Sequence, residues 1–296
     1  MDVRYVRIDE LTDLREERAC GIRADGIWVS GALEPLQRPC VAIVGTRAAT
    51  AYGRRVARSI ARELATAGCC ILSGLALGID AAAHEGALDA ERATIGVLGS
   101  GHHAFFPQRN RALAERMLAC GGAVLSPFPP EHMAKPHQFL QRNAIVAALA
   151  DAVLVVEAPA RSGALNTAGW AAGRIPVLAV PGDVDRAHVA GCHALIRDGA
   201  TLARNATDVL EALGIICNPA HEPRNAEGRG SVDSDSLAAR ILALLDEGER
   251  DLDSLAGSLA ESAPVILSAL TVLELEGRVH RDGTRFGRSG IARLLS

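Results

Sequence analysis

From residue 41 onward, apolar positions fall into short, almost unbroken runs separated by longer stretches with helical spacing. The runs cover 41–45, 69–73, 93–98, 122–125, 151–157 and 176–180. Each has the length of a strand, and none shows the alternation of a strand with one wet face. Between them, 51–67, 79–89, 108–120, 139–150 and 163–172 repeat apolar residues at helical intervals. Strands buried on both faces and joined by helices predict a parallel sheet with helices on either side. The right-handed crossover rule makes that sheet doubly wound and Rossmann-like, with ligand-binding loops gathered at one edge.

The ends of the chain read differently. Residues 1–39 are strand-rich around DGIWVSG at 25–31 and lead into the sheet, so the first domain is expected to span 1–217 with its core at 40–213. Residues 218–235 are polar and carry Pro, Gly and Ser, the composition of a linker. After it, 236–246, 251–260 and 263–276 have helical periodicity, and the second of these helices is capped by Asp251 or Asp253. GRVHRDGTRFGR at 277–288 reads as a hairpin around Asp-Gly. Three short helices and a hairpin predict a small winged-helix domain over 236–296.

Composition narrows the class. Of the 296 residues, 49% are hydrophobic and 22% charged, which suits a globular chain. No apolar run of about 18 residues is present, so no membrane span is expected. The first residues lack the apolar middle of a signal peptide, and the seven cysteines form no CxxC pair. A reducing, cytoplasmic setting is expected, with the cysteines acting as small buried hydrophobes. Net charge is −4, but it is uneven: residues 40–213 carry +2, while the segments before and after carry −2 and −4. A local cationic patch therefore remains open to an anionic partner.

Four stretches carry candidate chemistry. In VAIVGTR, Gly45, Thr46 and Arg47 follow a strand and precede a helix. Amides at a helix N-terminus attract anions, and a guanidinium grips a phosphate with two bonds. The loop is not GxGxxG, and the second strand runs into Ser73-Gly74 with no acid for a ribose, so NAD(P) is disfavoured and no cofactor is expected. In SGLALGIDAAAHEGAL, Asp80 and His84 lie one helical turn apart. Without a third ligand they read as loop-holding residues rather than a metal pair. Residues 102–142 hold Phe105, Phe106, Phe128 and Phe139 among Arg109, Arg111, Lys135 and Arg142, with Asn110 between them and Asn143 just after. Cations track phosphates and rings stack on bases, so one or two of these rings are expected at a ligand and the others in the core. In RSGALNTA, Ser162 and Gly163 open a helix with a hydroxyl cap and free amides. Ser162 is not in G-x-S-x-G, which argues against a hydrolase nucleophile.

Read together and in order, VAIVGTR, SGLALGIDAAAHEGAL, TIGVLGSG, FPQRN, FLQRN, VLVVEA, SGALNTA, VLAVPGD and LIRDGAT resemble the DNA-processing DprA/Smf family. The resemblance spans about 25–213, and the C-terminal pattern is similar to that family's winged-helix module. It implies an extended Rossmann-like core that binds single-stranded DNA, self-associates into a homodimer and loads RecA recombinase during natural transformation, with no catalytic residue. It places Gly45, Thr46 and Arg47 at the phosphate loop, and Ser73 and Gly74 at a second contacting loop. Lys135, Phe139, Arg142 and Asn143 fall in the aromatic and polar DNA segment, and Ser162, Gly163 and Thr167 in a third loop. The chain departs from the family pattern at Pro127, Ala144, Asn166 and His193, and Lys135 sits four positions before Phe139.

Two other classes fit a Rossmann-like fold. A nucleotide phosphoribohydrolase needs a PGGxGT-x-x-E loop, whereas RSGALNTA carries no Glu. A small-nucleotide sensor would keep the phosphate loop and bind no polymer. The third helix of the winged-helix pattern is apolar and acidic as far as Arg278, which favours a packing or protein-partner role over groove reading.

Overall fold

The computed structural model describes residues 1–7, 10–11, 25–215, 237–246, 248–259, 261–275 and 278–288. The expected linker, Cys20 and Cys217 lie outside them. The chain forms two compact units, 1–219 and 220–296.

The first unit is built on nine strands. They are β1 (Arg4–Arg7), β2 (Gly26–Gly31), β3 (Cys40–Val44), β4 (Cys70–Ser73), β5 (Thr94–Val97), β6 (Ala123–Ser126), β7 (Ala152–Val155), β8 (Val177–Ala179) and β9 (Thr201–Leu202). The helices are α1 (Ala51–Thr66), α2 (Ile79–Asp89), α3 (Arg111–Ala119), α4 (Gln138–Leu149), α5 (Gly163–Ala171), α6 (Ala190–Arg197) and α7 (Ala206–Ala212). The sheet order is β1-β2-β6-β5-β4-β3-β7-β8-β9. From β6 to β9 every pair is parallel, while β1 and β2 join antiparallel at one edge.

The continuous apolar runs have a direct cause. Cys40, Ala42 and Val44 of β3 face one core together with α4 and α5, whereas Val41 and Ile43 face a second core with α1, α2 and α7. Both sides of each strand are therefore dry. The chain winds outward from β3 through β4 and β5 to β6, returns beneath the sheet as α4, and restarts at β7 on the other side of β3. The connections after β3 and β7 diverge there, which opens a crevice at the carboxyl ends of the strands.

Four of the cysteines (Cys40, Cys69, Cys70 and Cys192) are buried and free, as expected; Cys120 departs from that expectation by being only half-buried. Among the described residues no helix is long and apolar enough to cross a membrane.

The second unit packs α8 (Leu237–Asp246), α9 (Leu252–Leu259) and α10 (Ala263–Leu275) against a small sheet. That sheet consists of β10 (Arg250–Asp251), β11 (Val279–Asp282) and β12 (Arg285–Arg288). Ile241, Leu245, Leu255, Ile266, Leu270 and Phe286 form its core. Asp251 is the cap of α9, accepting from the Ser254 amide at 2.8 Å. On α10, Val265 and Leu267 are exposed.

Candidate nucleic-acid interface

The loop after β3 is clamped from two sides. The Thr46 amide donates to the Glu157 carbonyl at 2.7 Å, and the Ile79 amide donates to the Thr46 carbonyl at 3.3 Å. Gly78 allows the second contact: its φ is 84°, and a Cβ there would sit 2.3 Å from the Thr46 oxygen. The loop is thus pinned through its backbone, and the Arg47 side chain projects into solvent.

One expectation about this loop is corrected. The N-terminus of α1 does not face an incoming anion, because the chain supplies its own. Thr50 caps the helix by accepting from the Gly53 amide at 3.0 Å. The buried Glu157 carboxylate accepts from the Thr50 amide at 2.9 Å and from its hydroxyl at 2.5 Å. A carboxylate at a helix start satisfies free amides and the dipole together. The anion-binding capacity of the loop therefore rests on Arg47.

Beside Arg47 lies an open cleft of about 480 Å³. Gly45, Thr46, Arg47, Gly74, Phe139, Arg142, Asn143, Ser162, Gly163 and Thr167, all predicted from sequence, line it. The Arg47 guanidinium carbon stands 4.8 Å from the centre of the Phe139 ring, a cation–π contact. Phe106, 47% exposed, approaches the same ring at 5.8 Å between centroids. Phe105 is buried, and the half-buried Phe128 stacks on His132. Among the described residues Arg47 makes no ion pair. In the same lining Ser162 caps α5, accepting from the Ala164 amide at 3.3 Å.

Three predicted contacts take other positions. The Ser73 hydroxyl is buried and donates to the Ile43 carbonyl at 2.6 Å, so it holds two strands together. Lys135 is exposed but does not line the cleft; its neighbour Pro136 does. Arg142 forms the cleft floor with its charge turned inward. It is 3% exposed and donates to the carbonyls of Gly74 and Val97 and, at 3.2 Å, to the Asn143 side chain. Asn143 in turn donates to the Gly163 carbonyl at 3.0 Å. One buried guanidinium thus ties together the ends of β4 and β5 and the start of α5.

Its partner is Asp80, also buried, which accepts from the amides of Gly74 at 3.0 Å and Ala76 at 3.4 Å. Burial raises the Asp80 pKa, and the Arg142 charge and these amides oppose the rise. Burial, with a smaller push from Arg47, lowers the Arg142 pKa to about 10, against the pull of Asp80. Arg142 therefore remains a cation at neutral pH, compensated from below. Asp80 holds the loop after β4, as expected, whereas His84 departs from that expectation by bracing two strands: its Nδ1 meets the Thr94 hydroxyl of β5 at 2.8 Å, and that hydroxyl donates to the Ile71 carbonyl of β4 at 2.7 Å. Among the described residues no group of three His, Cys, Asp or Glu is placed to hold a metal.

Sequence reading missed Arg161. It lines the cleft beside Ser162 and is exposed. A cation directly before a capped helix start was the available signal. With Arg47 it gives the cleft lining two exposed cations, beside which a polyanion can run with a ring to stack on.

Comparison with known proteins agrees with this architecture. Residues 23–214 match the family model of DNA recombination-mediator protein A, and 224–283 match the DprA winged-helix domain. A DNA processing protein DprA of Mycobacterium tuberculosis is 41% identical over 274 residues, covering 90% of this chain and 69% of the relative. Protein Smf of Escherichia coli is 37% identical over 258 residues, covering 85% and 68%. Among solved structures, DprA of Streptococcus pneumoniae superposes with a TM-score of 0.61 at 36% identity, covering 67% of this chain and 69% of that one. The Helicobacter pylori protein, described for its single-stranded DNA binding mode, also gives 0.61, at 27% identity, covering 72% and 96%.

Proposed function

The chain belongs to the DNA recombination-mediator protein A (DprA/Smf) family, and on that premise we propose that its cleft binds single-stranded DNA without chemical turnover. The observation that carries this reading is Arg47: an exposed cation without an acidic partner among the described residues, stacked on a ring inside an open cleft. Phosphates follow Arg47, the capped start of α5 at Ser162 and Gly163, and Arg161 beside it. A base lies on Phe139, with Phe106 next in line. Arg142, Asn143 and Asp80 form the scaffold beneath, holding the loops at their spacing. The family premise extends the proposal to a protein that works as a homodimer and passes its strand to RecA recombinase in transformation.

The test is fluorescence anisotropy with oligo-dT at two salt concentrations. Arg47→Ala is expected to weaken binding by about 1.5–3 kcal/mol, the range of a charge-assisted bond. The slope of log K against log[salt] should shrink by about 0.7, one phosphate's share on a single strand. Affinity independent of salt, or unimpaired binding by the variant, overturns the reading. Release of base from AMP or CMP would identify a phosphoribohydrolase instead. Mononucleotides that compete on equal terms with the oligonucleotide would identify a nucleotide sensor.

A further inference from the structure

Residues 41–62 contain five arginines and no acidic residue. Arg47 belongs to the cleft; Arg54, Arg55, Arg58 and Arg62 lie on α1 and are all exposed. Along α1 their surroundings differ. Arg58 is bound to Asp89 at 2.5 Å and to Glu85 at 3.4 Å, and Arg62 lies within electrostatic reach of the same Asp89. The far half of the helix is therefore largely neutralised by α2.

The half nearest the cleft is not. Arg54 donates to the Ala49 carbonyl, which satisfies a donor, and makes no ion pair among the described residues. Arg55 lies 5.5 Å over the ring of Tyr52, and Tyr52 is 47% exposed. Among the described residues Arg55 makes no ion pair. These cations sit in the first turns of a helix, where the dipole favours anions. An exposed tyrosine and an arginine pair here serve neither the core nor the helix.

The first unit has two arginine–aromatic pairs among its described residues, Arg47 with Phe139 and Arg55 with Tyr52. They flank one connection, the loop from β3 into α1. Residues 47 and 52 are separated by at most about 18 Å even on a fully extended chain, within reach of a strand of a few nucleotides. We propose that Tyr52 and Arg55 form a second stacking and phosphate contact, so that single-stranded DNA leaving the cleft past Arg47 continues along the start of α1. This deepens the cleft reading and rests on it: the cleft holds short strands, and the α1 face adds affinity only for longer ones.

The experiment compares oligo-dT of about 6 and about 20 nucleotides on the full chain, with Tyr52→Ala/Arg55→Ala alongside Arg47→Ala, and thermal melts as a control for folding. The double variant is expected to bind the short strand within about twofold of the parent. It should bind the long strand about tenfold more weakly, the equivalent of one lost stacking contact. Its salt slope on the long strand should fall by about 0.7. Long-strand affinity and slope equal to the parent's overturn the proposal and leave the face to an acidic protein partner. A parent that binds neither strand overturns this proposal and the cleft reading together. Loss in the double variant with none in Arg47→Ala overturns both readings, since a strand that ignores Arg47 does not leave the cleft past it.

Discussion

Replacing Arg142 by methionine keeps much of the aliphatic volume and deletes the guanidinium. Asp80 then loses the cation that offsets its burial; the two charges meet through the Gly74 backbone rather than in a direct ion pair, so the cost is set at about 3 kcal/mol, the lower end for a broken buried pair. The carbonyls of Gly74 and Val97 lose their donor as well, at about 1–3 kcal/mol for an unmet buried acceptor. These losses overlap, because water entering from the cleft reaches the Gly74 side. The expected net is about 4–6 kcal/mol, a large share of the roughly 5–15 kcal/mol that holds a domain. The loss carries a pH signature. Burial already raises the Asp80 pKa above its ordinary 3.8, and without Arg142 it rises further. A carboxyl raised in the folded state contributes its full stability below its unfolded pKa and loses it as pH rises through the folded value. The Arg142→Met deficit should therefore widen as pH rises from the ordinary carboxylate range toward higher pH. Adding Asp80→Asn removes the charge that needed a partner and should restore about half of the deficit at the higher pH. Urea unfolding of the parent, both single variants and the double variant measures each term. A deficit that is flat with pH and unrelieved by Asp80→Asn refutes the reasoning. The double variant also tests the scaffold role: its salt slope on oligo-dT should match the parent's, since the Arg142 guanidinium is turned inward onto the Gly74 and Val97 carbonyls.

Two further outcomes follow from the packing. Gly53→Ala places a Cβ 2.3 Å from the Glu157 carboxylate and should lower stability by about 2 kcal/mol or more, whereas Gly163→Ala meets nothing within 4 Å and should stay within about 1 kcal/mol of the parent in a thermal melt. His84 is buried with its pKa lowered by burial from 6.5 to about 3, so its contribution is complete above the unfolded value and is lost as pH falls through the folded one; His84→Gln should flatten the acid limb of stability between those two values, and an unchanged limb argues against the assignment.

How much of this was legible in the chain follows from what is local. The apolar runs placed β3 to β8 within a residue or two, because a strand buried on both faces writes its burial into consecutive positions. The hairpin at Asp-Gly and the helix at Ser162 were legible for the same reason: turn chemistry and caps act over two or three residues. The strand β9 and helices α6 and α7 went unread, their elements being short and their apolar faces narrow.

The site divided along the same line. Sequence by itself determined that Gly45, Thr46 and Arg47 end a strand and that cations and rings cluster at 102–142. It could not rank those cations. Arg47 and Arg142 are both arginines near a glycine-bearing loop, yet one is exposed and the other 3% exposed. The difference arises where α4 crosses beneath the ends of β4 and β5, which brings Gly74, Val97 and Asp80 around residue 142 from far along the chain. Glu157 reaches the start of α1 across 107 residues for the same reason, β7 lying beside β3. Periodicity reports which way a residue faces on its own element. Only the adjacency of elements decides which charges find partners inside, and so which are left for a ligand.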